Sequence, residues 1–476
     1  MTKVVKFGGS SLASAEQFKK VKEIITAESS RRFVVPSAPG KRFSNDTKVT
    51  DMLYGCYDLA AKGKDFSSEF DAIKERYYGI INDLGLDLSL EKEFETIKAC
   101  FIGKAGRDYA ASRGEYLNGI VLANYLGYNF VDAADVIYFN DQGQFDSART
   151  NEVLPQRLAT LDNAVIPGFY GSMPNDTIKT FSRGGSDVTG SIVAAAVNAD
   201  LYENWTDVSG FLVCDPRIID NPQPITTITY KELRELSYMG AGVLHEDAIF
   251  PVRKAGIPIN IKNTNKPEDM GTMIVESTSQ KPAFTITGIA GKKGFTVVNI
   301  EKDMMNAELG FGRRVLEVFE KNGICFEHMP SGIDTMSVVV HQAEFAPKEQ
   351  EIMSGLHRNC HPDTIDIETD LALIAVVGRA MKSNRGTAGR IFSALAHAHV
   401  NVKMIDQGSS ELNIIIGVNE ADFESAKQLL LKFQLPVSAV VYYSRRFLRP
   451  TPLHSLLLRT KAAPQLFPHG QVSPPH

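Results

Sequence analysis

The first candidate functional residues lie near the N-terminus, where a lysine is followed by two glycines and two serines. Val4–Phe7 predicts a short buried strand with Lys6 near its carboxyl end, and Gly8, Gly9 and Ser10 lead from it into a helix. A strand, a glycine turn and a helix N-terminus together can bind an anion, because backbone N–H groups point outward and the helix dipole favours negative charge. Lys6 would add a positive charge, although an ordinary βα turn has the same local pattern.

A second glycine turn occurs in the middle of the chain, in Phe181–Ser191, and a helix of small residues follows it. Arg183 in this turn has the planar guanidinium that binds a carboxylate through two hydrogen bonds. Asp187 could bind a magnesium ion carried by a phosphate group. Two phosphate-binding turns in one chain are less expected by chance than one. Together they favour phosphoryl transfer between small molecules.

Further polar candidates follow predicted strands or begin predicted helices: Ser37, Thr50, Glu115, Ser186, Thr206, Asp207 and Arg217. In isolation, Glu115 is better explained as a carboxylate that caps the apolar helix after it. The polar residues from Thr206 to Arg217 could hold the base, ribose or phosphates of a nucleotide.

The elements that must position these residues form an α/β pattern. Short apolar strands alternate with helices through the first 262 residues, which predicts a mostly parallel sheet sandwiched by helices. Ligands of such sheets bind at the carboxyl ends of the strands. The first helix has Phe18, Val21 and Ile24 on one face, and Ser14 with Gln17 predicts a capping box at its start.

The C-terminal half has a different pattern, with two copies of about 70 residues in a βαββαβ order. The predicted strands and helices of the two copies are 295–301, 307–322, 324–328 and 335–341, then 371–377, 387–397, 400–407 and 412–418.

Composition excludes several classes of protein. The net charge of −5 gives no reason to expect nucleic acid or an anionic membrane as partner. The five cysteines are scattered and include no Cys-x-x-Cys pair, which favours reduced thiols and a cytoplasmic protein. His357 and His361 flank Cys360 at helical spacing, but with no third ligand they indicate a solvated helix face. The last segment, 444–476, is basic and proline-rich and contains no acidic residue, which predicts a disordered tail.

Seven short motifs resemble those of the aspartokinases in the amino-acid kinase family. They occur in the family's order, and together they are highly specific: Lys6–Ser11, Val35–Gly40, Arg113–Glu115, Ser182–Asp187, Trp205–Gly210, Asp215–Arg217 and Gly240–His245. The resemblance implies an enzyme that transfers the γ-phosphoryl group of ATP, with Mg²⁺, to the side-chain carboxylate of L-aspartate. That reaction is the first step of lysine, threonine and methionine biosynthesis.

The resemblance also implies a role for each candidate residue. Lys6 would bind phosphate, and Asp187 would complete the catalytic centre, with no metal ligand assigned directly. The aspartate-binding residues would be Ser37, Thr50, Glu115, Arg183 and Ser186. The ATP-binding residues would be Lys6, Gly8, Gly9, Ser10, Thr206, Asp207 and Arg217.

The C-terminal repeats resemble tandem ACT domains, the ferredoxin-like modules that bind amino acids at paired interfaces. This likeness implies a catalytic domain over 1–282, a first ACT domain over 294–366 and a second over 283–293 plus 367–443. It also implies a homo-oligomer joined through the ACT domains and feedback inhibition by lysine, with threonine as the main rival effector. The candidate effector residues are Met305, Phe311, Cys325, Phe326, Glu327, Met329 and Ser331. Core packing of Phe311 and Phe326 and solvation of Glu327 are the alternative.

Two positions depart from the family pattern. Leu212 replaces a tyrosine found in some members, which puts base stacking in doubt, and Gly242 replaces a lysine that could contact phosphate. Two other functions stay open from the sequence: a related kinase acting on another acceptor, and an inactive amino-acid sensor.

Overall fold

The computed structural model describes residues 1–182, 184–213, 222–240, 244, 246–280, 282 and 284–432. Arg183, Arg217, Gly242 and the predicted tail 444–476 lie outside the described residues, so the interpretations given for them remain sequence predictions. None of the described helices is long and apolar enough to cross a membrane.

The described α-helices vary from a single turn to twenty residues. They are α1 (Ala15–Thr26), α2 (Val49–Ala61), α3 (Ser67–Asp83), α4 (Glu91–Ile102), α5 (Arg107–Leu126), α6 (Ser147–Ala159), α7 (Gly185–Ala196), α8 (Tyr230–Tyr238), α9 (Glu246–Lys254), α10 (Phe311–Lys321), α11 (Gln342–Phe345), α12 (Glu349–Cys360), α13 (Thr387–His397) and α14 (Phe423–Lys432).

The described strands form two large sheets and one hairpin. They are β1 (Lys3–Phe7), β2 (Arg31–Pro36), β3 (Asn129–Phe130), β4 (Ala164–Val165), β5 (Tyr170–Ser172), β6 (Ile178–Thr180), β7 (Leu201–Thr206), β8 (Thr227–Thr229), β9 (Ile259–Asn263), β10 (Thr272–Val275), β11 (Gly288–Glu301), β12 (Phe326–His328), β13 (Thr335–His341), β14 (Thr364–Val377), β15 (Val402–Asp406) and β16 (Asn413–Asn419).

The N-terminal sheet has eight strands in the order β3-β4-β2-β1-β7-β9-β10-β8, and only the β9–β10 pair is antiparallel. Strand β1 is buried on both faces: Val4 joins one hydrophobic core and Val5 with Phe7 joins another. Helices therefore cover both sides of this sheet, as the continuous apolar strands predict. The central position of β1 places the end of that strand, with Lys6, between the ends of β2 and β7.

The C-terminal sheet is antiparallel, with six strands in the order β12-β13-β11-β14-β16-β15. Strands β11 and β14 are fourteen residues each, and they pair with one another along most of their length. The register shifts between Lys293 and Val297. On one side of this shift β13 pairs with β11, and on the other side β16 pairs with β14. The two predicted repeats thus share one continuous sheet.

Helix α8 connects the two sheets through a buried carboxylate. Glu232 forms a capping box with Thr229 at the start of α8. The same carboxylate accepts hydrogen bonds from the Thr287 hydroxyl and from the backbone N–H of Arg379, and it pairs with the Arg379 guanidinium at 2.9 Å. These partners hold the pKa of Glu232 below its usual value, although burial opposes them.

The capping box predicted at Ser14 is wrong. Ser14 is the N-cap of α1, but its side chain makes no capping hydrogen bond, and the Gln17 amide donates instead to Asn265 at 3.1 Å. The buried face predicted for α1 is confirmed. The Gln17 side chain therefore binds Asn265, on the loop after β9, and does not cap the helix.

Candidate active site

The centre of the site is a charged pair between β1 and α7. The Lys6 ammonium lies 2.6 Å from Asp187 Oδ1, and both side chains are largely buried. Lys6 belongs to the central strand, whereas Asp187 lies in the first turn of α7, where the helix dipole favours a negative charge. Residues separated by 181 positions in the sequence are thus brought into direct contact at the carboxyl edge of the sheet.

The glycine turn above Lys6 is closely packed. Gly9 accepts a hydrogen bond from the backbone N–H of Gly40 at 2.8 Å, and a Cβ at Gly9 would lie 2.8 Å from the Ala38 carbonyl oxygen. A Cβ at Gly8 would lie 3.7 Å from the Lys6 ammonium. Glycine is therefore needed at position 9 for the close approach of two loops, and Lys6 lies directly beneath the turn.

A cavity of about 630 Å³ opens beside this turn. It brings together most of the residues predicted for the two substrates: Gly8, Gly9, Ser10, Ser37, Thr50, Glu115, Thr206 and Asp207. The volume falls in the range of small-molecule sites. Lys6 and Asp187 lie outside the cavity lining, but Gly8, which belongs to that lining, lies next to the Lys6 ammonium.

Glu115 is the most electrostatically unusual of these residues. Burial in α5 raises the pKa of its carboxyl to about 8, and backbone hydrogen bonds, including one with Ala38, oppose this shift only in part. Its Oε2 atom is buried and has no hydrogen-bond partner among the described residues. A carboxylate in this state gains most from a ligand that brings a hydrogen-bond donor or a positive charge.

The start of α7 packs against the loop after β4. A Cβ at Gly168 would lie 2.6 Å from the Ser186 Cβ, so the loop approaches the helix as closely as glycine allows. Phe169 next to it has φ 83°, a left-handed conformation that is rare for an aromatic residue. Its backbone N–H donates to the Thr189 hydroxyl at 3.0 Å. Such strain is concentrated at functional sites.

Four residues of the site escaped the sequence analysis. Lys41 and Lys48 line the cavity and bring two cations to it. Asn204 contacts both Lys6 and Asp187. Phe169 carries the strained backbone. The two lysines belong to the segment between β2 and α2, where basic residues beside a predicted ligand site could have been noticed. No sequence signal distinguishes Asn204 or Phe169.

Of the remaining predicted residues, the structure describes some and not others. Arg183 and Arg217 lie outside the described residues, and Leu212 is partly exposed after β7. No group of three or more potential metal-ligating side chains occurs within the described part of the chain.

The predicted effector residues lie at the first edge of the C-terminal sheet. Met305 and Phe311 are buried in the core beneath α10, whereas Cys325 and Phe326 are exposed on or before β12. Met329 is half-buried against the same core, and Ser331 is exposed.

Glu327 on β12 links the C-terminal sheet to helix α8. It accepts a hydrogen bond from the Tyr238 hydroxyl of α8 at 2.6 Å and lies 3.1 Å from the ring Nε2 of His341 on β13. The Glu327 carboxylate is therefore engaged by both neighbours, in contrast to the solvated carboxylate of the alternative interpretation.

Comparison with known proteins agrees with these features. The amino acid kinase family matches residues 1–263, and an ACT domain matches residues 374–432. Aspartokinase 3 of Bacillus subtilis (strain 168) is 41% identical over 444 residues, which cover 90% of this chain and 97% of that protein. Aspartokinase 1 of Arabidopsis thaliana, a chloroplast protein, is 30% identical over 91% of this chain and 80% of its own length.

Solved structures show the same fold. The aspartate kinase of Clostridium acetobutylicum, described as an allosteric enzyme, is 52% identical and superimposes with a TM-score of 0.81 over 90% of this chain and 99% of its own. E. coli aspartokinase III, solved with aspartate and ADP, matches with a TM-score of 0.71 at 24% identity over 91% of this chain and 99% of its own. The predicted fold class, a mostly parallel kinase sheet followed by an antiparallel ACT region, is confirmed. The chain is a phosphotransferase and belongs to the aspartokinases of the amino acid kinase family.

Proposed function

We propose that the protein transfers the γ-phosphoryl group of ATP to the side-chain carboxylate of L-aspartate and forms 4-phospho-L-aspartate. The observation that carries this proposal is the Lys6–Asp187 pair directly beneath the glycine turn, beside a cavity that contains Glu115. Lys6 supplies positive charge for the phosphates of the donor. The buried Glu115 carboxyl group, which has no hydrogen-bond partner at Oε2 among the described residues, suits the ammonium group of an amino acid.

The nucleotide would lie over the glycine turn. Backbone N–H groups of Gly9 and Ser10 can face its phosphates, and Lys6 can reach them from below, whereas the Gly8 N–H donates to the Trp205 carbonyl oxygen at 3.0 Å. Thr206 and Asp207, at the end of β7, are suited to bind the ribose or the phosphates. The family resemblance adds Arg217.

The acceptor would occupy the part of the cavity next to α5. Glu115 would bind the α-ammonium group of aspartate, because that charge compensates for the burial of the carboxylate. Ser37, Thr50 and Ser186 would bind the carboxylates through their hydroxyls. Arg183 has the guanidinium that suits the α-carboxylate.

The reaction itself requires little of the protein besides position and charge. A side-chain carboxylate is already ionised near pH 7, so no general base is needed to make it a nucleophile. The transferring phosphoryl group gains most from positive potential at its oxygens. Lys6 and the N-terminus of α7 supply that potential.

A magnesium ion fits this donor set as a companion of ATP. Mg²⁺ binds one or two carboxylates and otherwise keeps water and phosphate oxygens as ligands. Asp187 and Asp207 are the carboxylates best placed to hold its waters. When bound, the ion neutralises phosphate charge.

The C-terminal sheet would regulate the kinase. The proposed boundaries are 1–282 for catalysis, 294–366 for the first ACT domain and 283–293 with 367–443 for the second. We propose lysine, with threonine as the rival, as the feedback inhibitor at the α10–β12 end of this sheet. The exposed apolar patch of Met304, Leu309 and Ile333 suits contact with a second copy of the chain.

Release of ADP in the presence of candidate acceptors tests this function. Aspartate should support turnover far better than glutamate, N-acetylglutamate or UMP, and added lysine or threonine should lower the rate. Turnover with another acceptor would identify a related kinase, and absence of turnover with all of them would favour an inactive sensor.

A further inference from the structure

We propose that Asn204 is a positioning residue for phosphoryl transfer, because its side-chain amide holds Lys6 and Asp187 in their working geometry. This inference rests on the proposed function of the Lys6–Asp187 pair. It concerns a residue that none of the seven sequence motifs contains.

The geometry is that of a three-membered network. The Asn204 Nδ2 group donates to Asp187 Oδ1 at 2.9 Å, and the Lys6 ammonium donates to Asn204 Oδ1 at 3.4 Å. The Lys6 ammonium and Asp187 Oδ1 are 2.6 Å apart. Asn204 is only 4% exposed, so water has little access to replace these contacts.

The sheet register creates the network. Asn204 on β7 is paired directly with Lys6 on β1, and in a parallel pair both side chains point to the same face. Helix α7 packs over that face and brings Asp187 to them. One amide therefore contacts two charged groups from two different elements.

A neighbouring residue on the same face supports the backbone of the helix. The Tyr202 hydroxyl donates to the Asp187 carbonyl oxygen at 3.2 Å, and a Cβ at Gly190 would lie 2.4 Å from that hydroxyl. Strand β7 thus fixes the main chain of α7 through Tyr202 and the Asp187 side chain through Asn204. The two contacts can be tested separately.

An amide suits this place for a chemical reason. When Lys6 also contacts phosphate, its attraction to Asp187 weakens, and the Asn204 N–H group remains as a donor to the carboxylate. The amide oxygen is neutral and competes weakly with phosphate for Lys6. A neutral partner thereby keeps both side chains in place and leaves the charge of Lys6 available to phosphate.

The test compares Asn204→Leu and Asn204→Asp with the wild-type chain under the same conditions. The acceptor is whichever compound gives wild type its fastest ADP release, so a failure of aspartate alone would refute the proposed substrate and leave this comparison intact. Asn204→Leu should lower kcat about 10- to 100-fold, because it removes the hydrogen bonds with Lys6 and Asp187. KM for the acceptor should change by less than about threefold, because neither hydrogen bond involves a residue proposed to bind the acceptor.

Asn204→Asp distinguishes positioning from mere packing. The charged groups that contact the Asn204 amide are Lys6 from β1 and Asp187 from α7. The introduced carboxylate has nearly the volume of the amide but cannot donate a hydrogen bond to Asp187. Loss of this donor should lower kcat at least as far as in Asn204→Leu, whereas a role in packing alone would leave kcat near the wild-type value.

Tyr202→Phe serves as the control for displacement of α7, since it removes the contact with the Asp187 backbone only. Its melting temperature should fall, with kcat changed at most a few-fold. The inference is overturned if both Asn204 variants keep kcat within twofold of wild type. It is also overturned if the activity loss follows the folded fraction, or if Asn204→Asp alone keeps kcat within twofold of wild type.

Discussion

The two sheets differ in what surrounds their predicted functional residues. In the kinase sheet, Lys6 and Asp187 are largely buried, and each has a partner on another element of the same chain. In the C-terminal sheet, the patch next to the predicted effector site is open, with Leu309 97% and Ile333 68% exposed. The contacts among Lys6, Asp187 and Asn204 are therefore formed within one chain.

The difference indicates where an assembly partner is needed. A buried network keeps its geometry without help, whereas large apolar side chains left in solvent favour contact with another surface. The kinase site should therefore respond to single-residue changes in chemistry, and the C-terminal sheet should respond to changes in association. Amino-acid substitutions in each region test this contrast, and the substitution with the largest expected effect comes first.

Lys6→Met should lower kcat by at least about 100-fold, because removal of one preorganised positive donor at a site of developing charge costs that much. Steady-state ADP release with saturating substrates measures the effect. Lys19→Met, on the exposed face of α1, is the matched control and should leave kcat unchanged. A folded Lys6→Met protein with near-normal kcat would remove Lys6 from the mechanism.

Glu115→Gln should raise KM for aspartate about 10- to 100-fold with little effect on KM for ATP, because the amide loses the charge that binds the α-ammonium group. Initial rates at varied concentrations of each substrate separate the two constants. Glu95→Gln on the exposed face of α4 provides the control. A rise confined to KM for ATP would place Glu115 on the nucleotide side.

The same residue predicts a pH dependence of stability. Burial raises the pKa of Glu115 from 4.5 to about 8, so between these values the native state binds more protons than the unfolded state. The free energy of unfolding therefore falls as pH rises through this window, by at most about 1.4 kcal/mol per pH unit. Urea denaturation of the ligand-free protein should show Glu115→Gln gaining stability relative to wild type from pH 5 to pH 8. A constant difference would contradict the raised pKa.

Leu309→Ser combined with Ile333→Ser should weaken self-association about tenfold, since both side chains belong to the exposed apolar patch. Sedimentation velocity across a concentration series measures the association constant. Ile102→Ser, an equally exposed change on α4, should leave association unaltered. An unchanged association constant in the double variant would place the subunit contact elsewhere.

The smallest expected effect concerns the contact between the two sheets. Tyr238→Phe removes the hydrogen bond to Glu327 and should shift the lysine concentration for half-inhibition by a few-fold, with the uninhibited rate retained. Tyr78→Phe, which removes a similar tyrosine–glutamate bond between α3 and α4, is the control. Identical inhibition curves for both variants would exclude Tyr238 from regulation.

The sequence predicted the parts of the site that depend on local pattern. Strand, glycine turn and helix follow one another within a few residues at Lys6 and again at Asp187, and most of the predicted cavity residues indeed line one cavity. Their binding roles stay predictions. The alternation of strands and helices in the first 262 residues and the two βαββαβ-like repeats after them also followed from apolar periodicity.

The remaining features depend on contacts that are distant in sequence. Asn204 meets Lys6 because β1 and β7 pair in one particular register, and a shift by one residue would turn Asn204 to the other face. Gln17 contacts a loop far along the chain in place of its predicted cap. The two repeats share β11 and β14 because each strand continues through a register shift that composition does not reveal.

Direct detection of the product tests the central claim, that the site around Lys6 and Asp187 phosphorylates the side-chain carboxylate of aspartate. An acyl phosphate reacts with hydroxylamine to form a hydroxamate, so the product can be trapped during turnover with ATP, Mg²⁺ and L-aspartate. The wild-type chain should form aspartyl hydroxamate in equal amount to ADP, and Lys6→Met should form almost none. Release of ADP together with free phosphate and no hydroxamate would contradict the account.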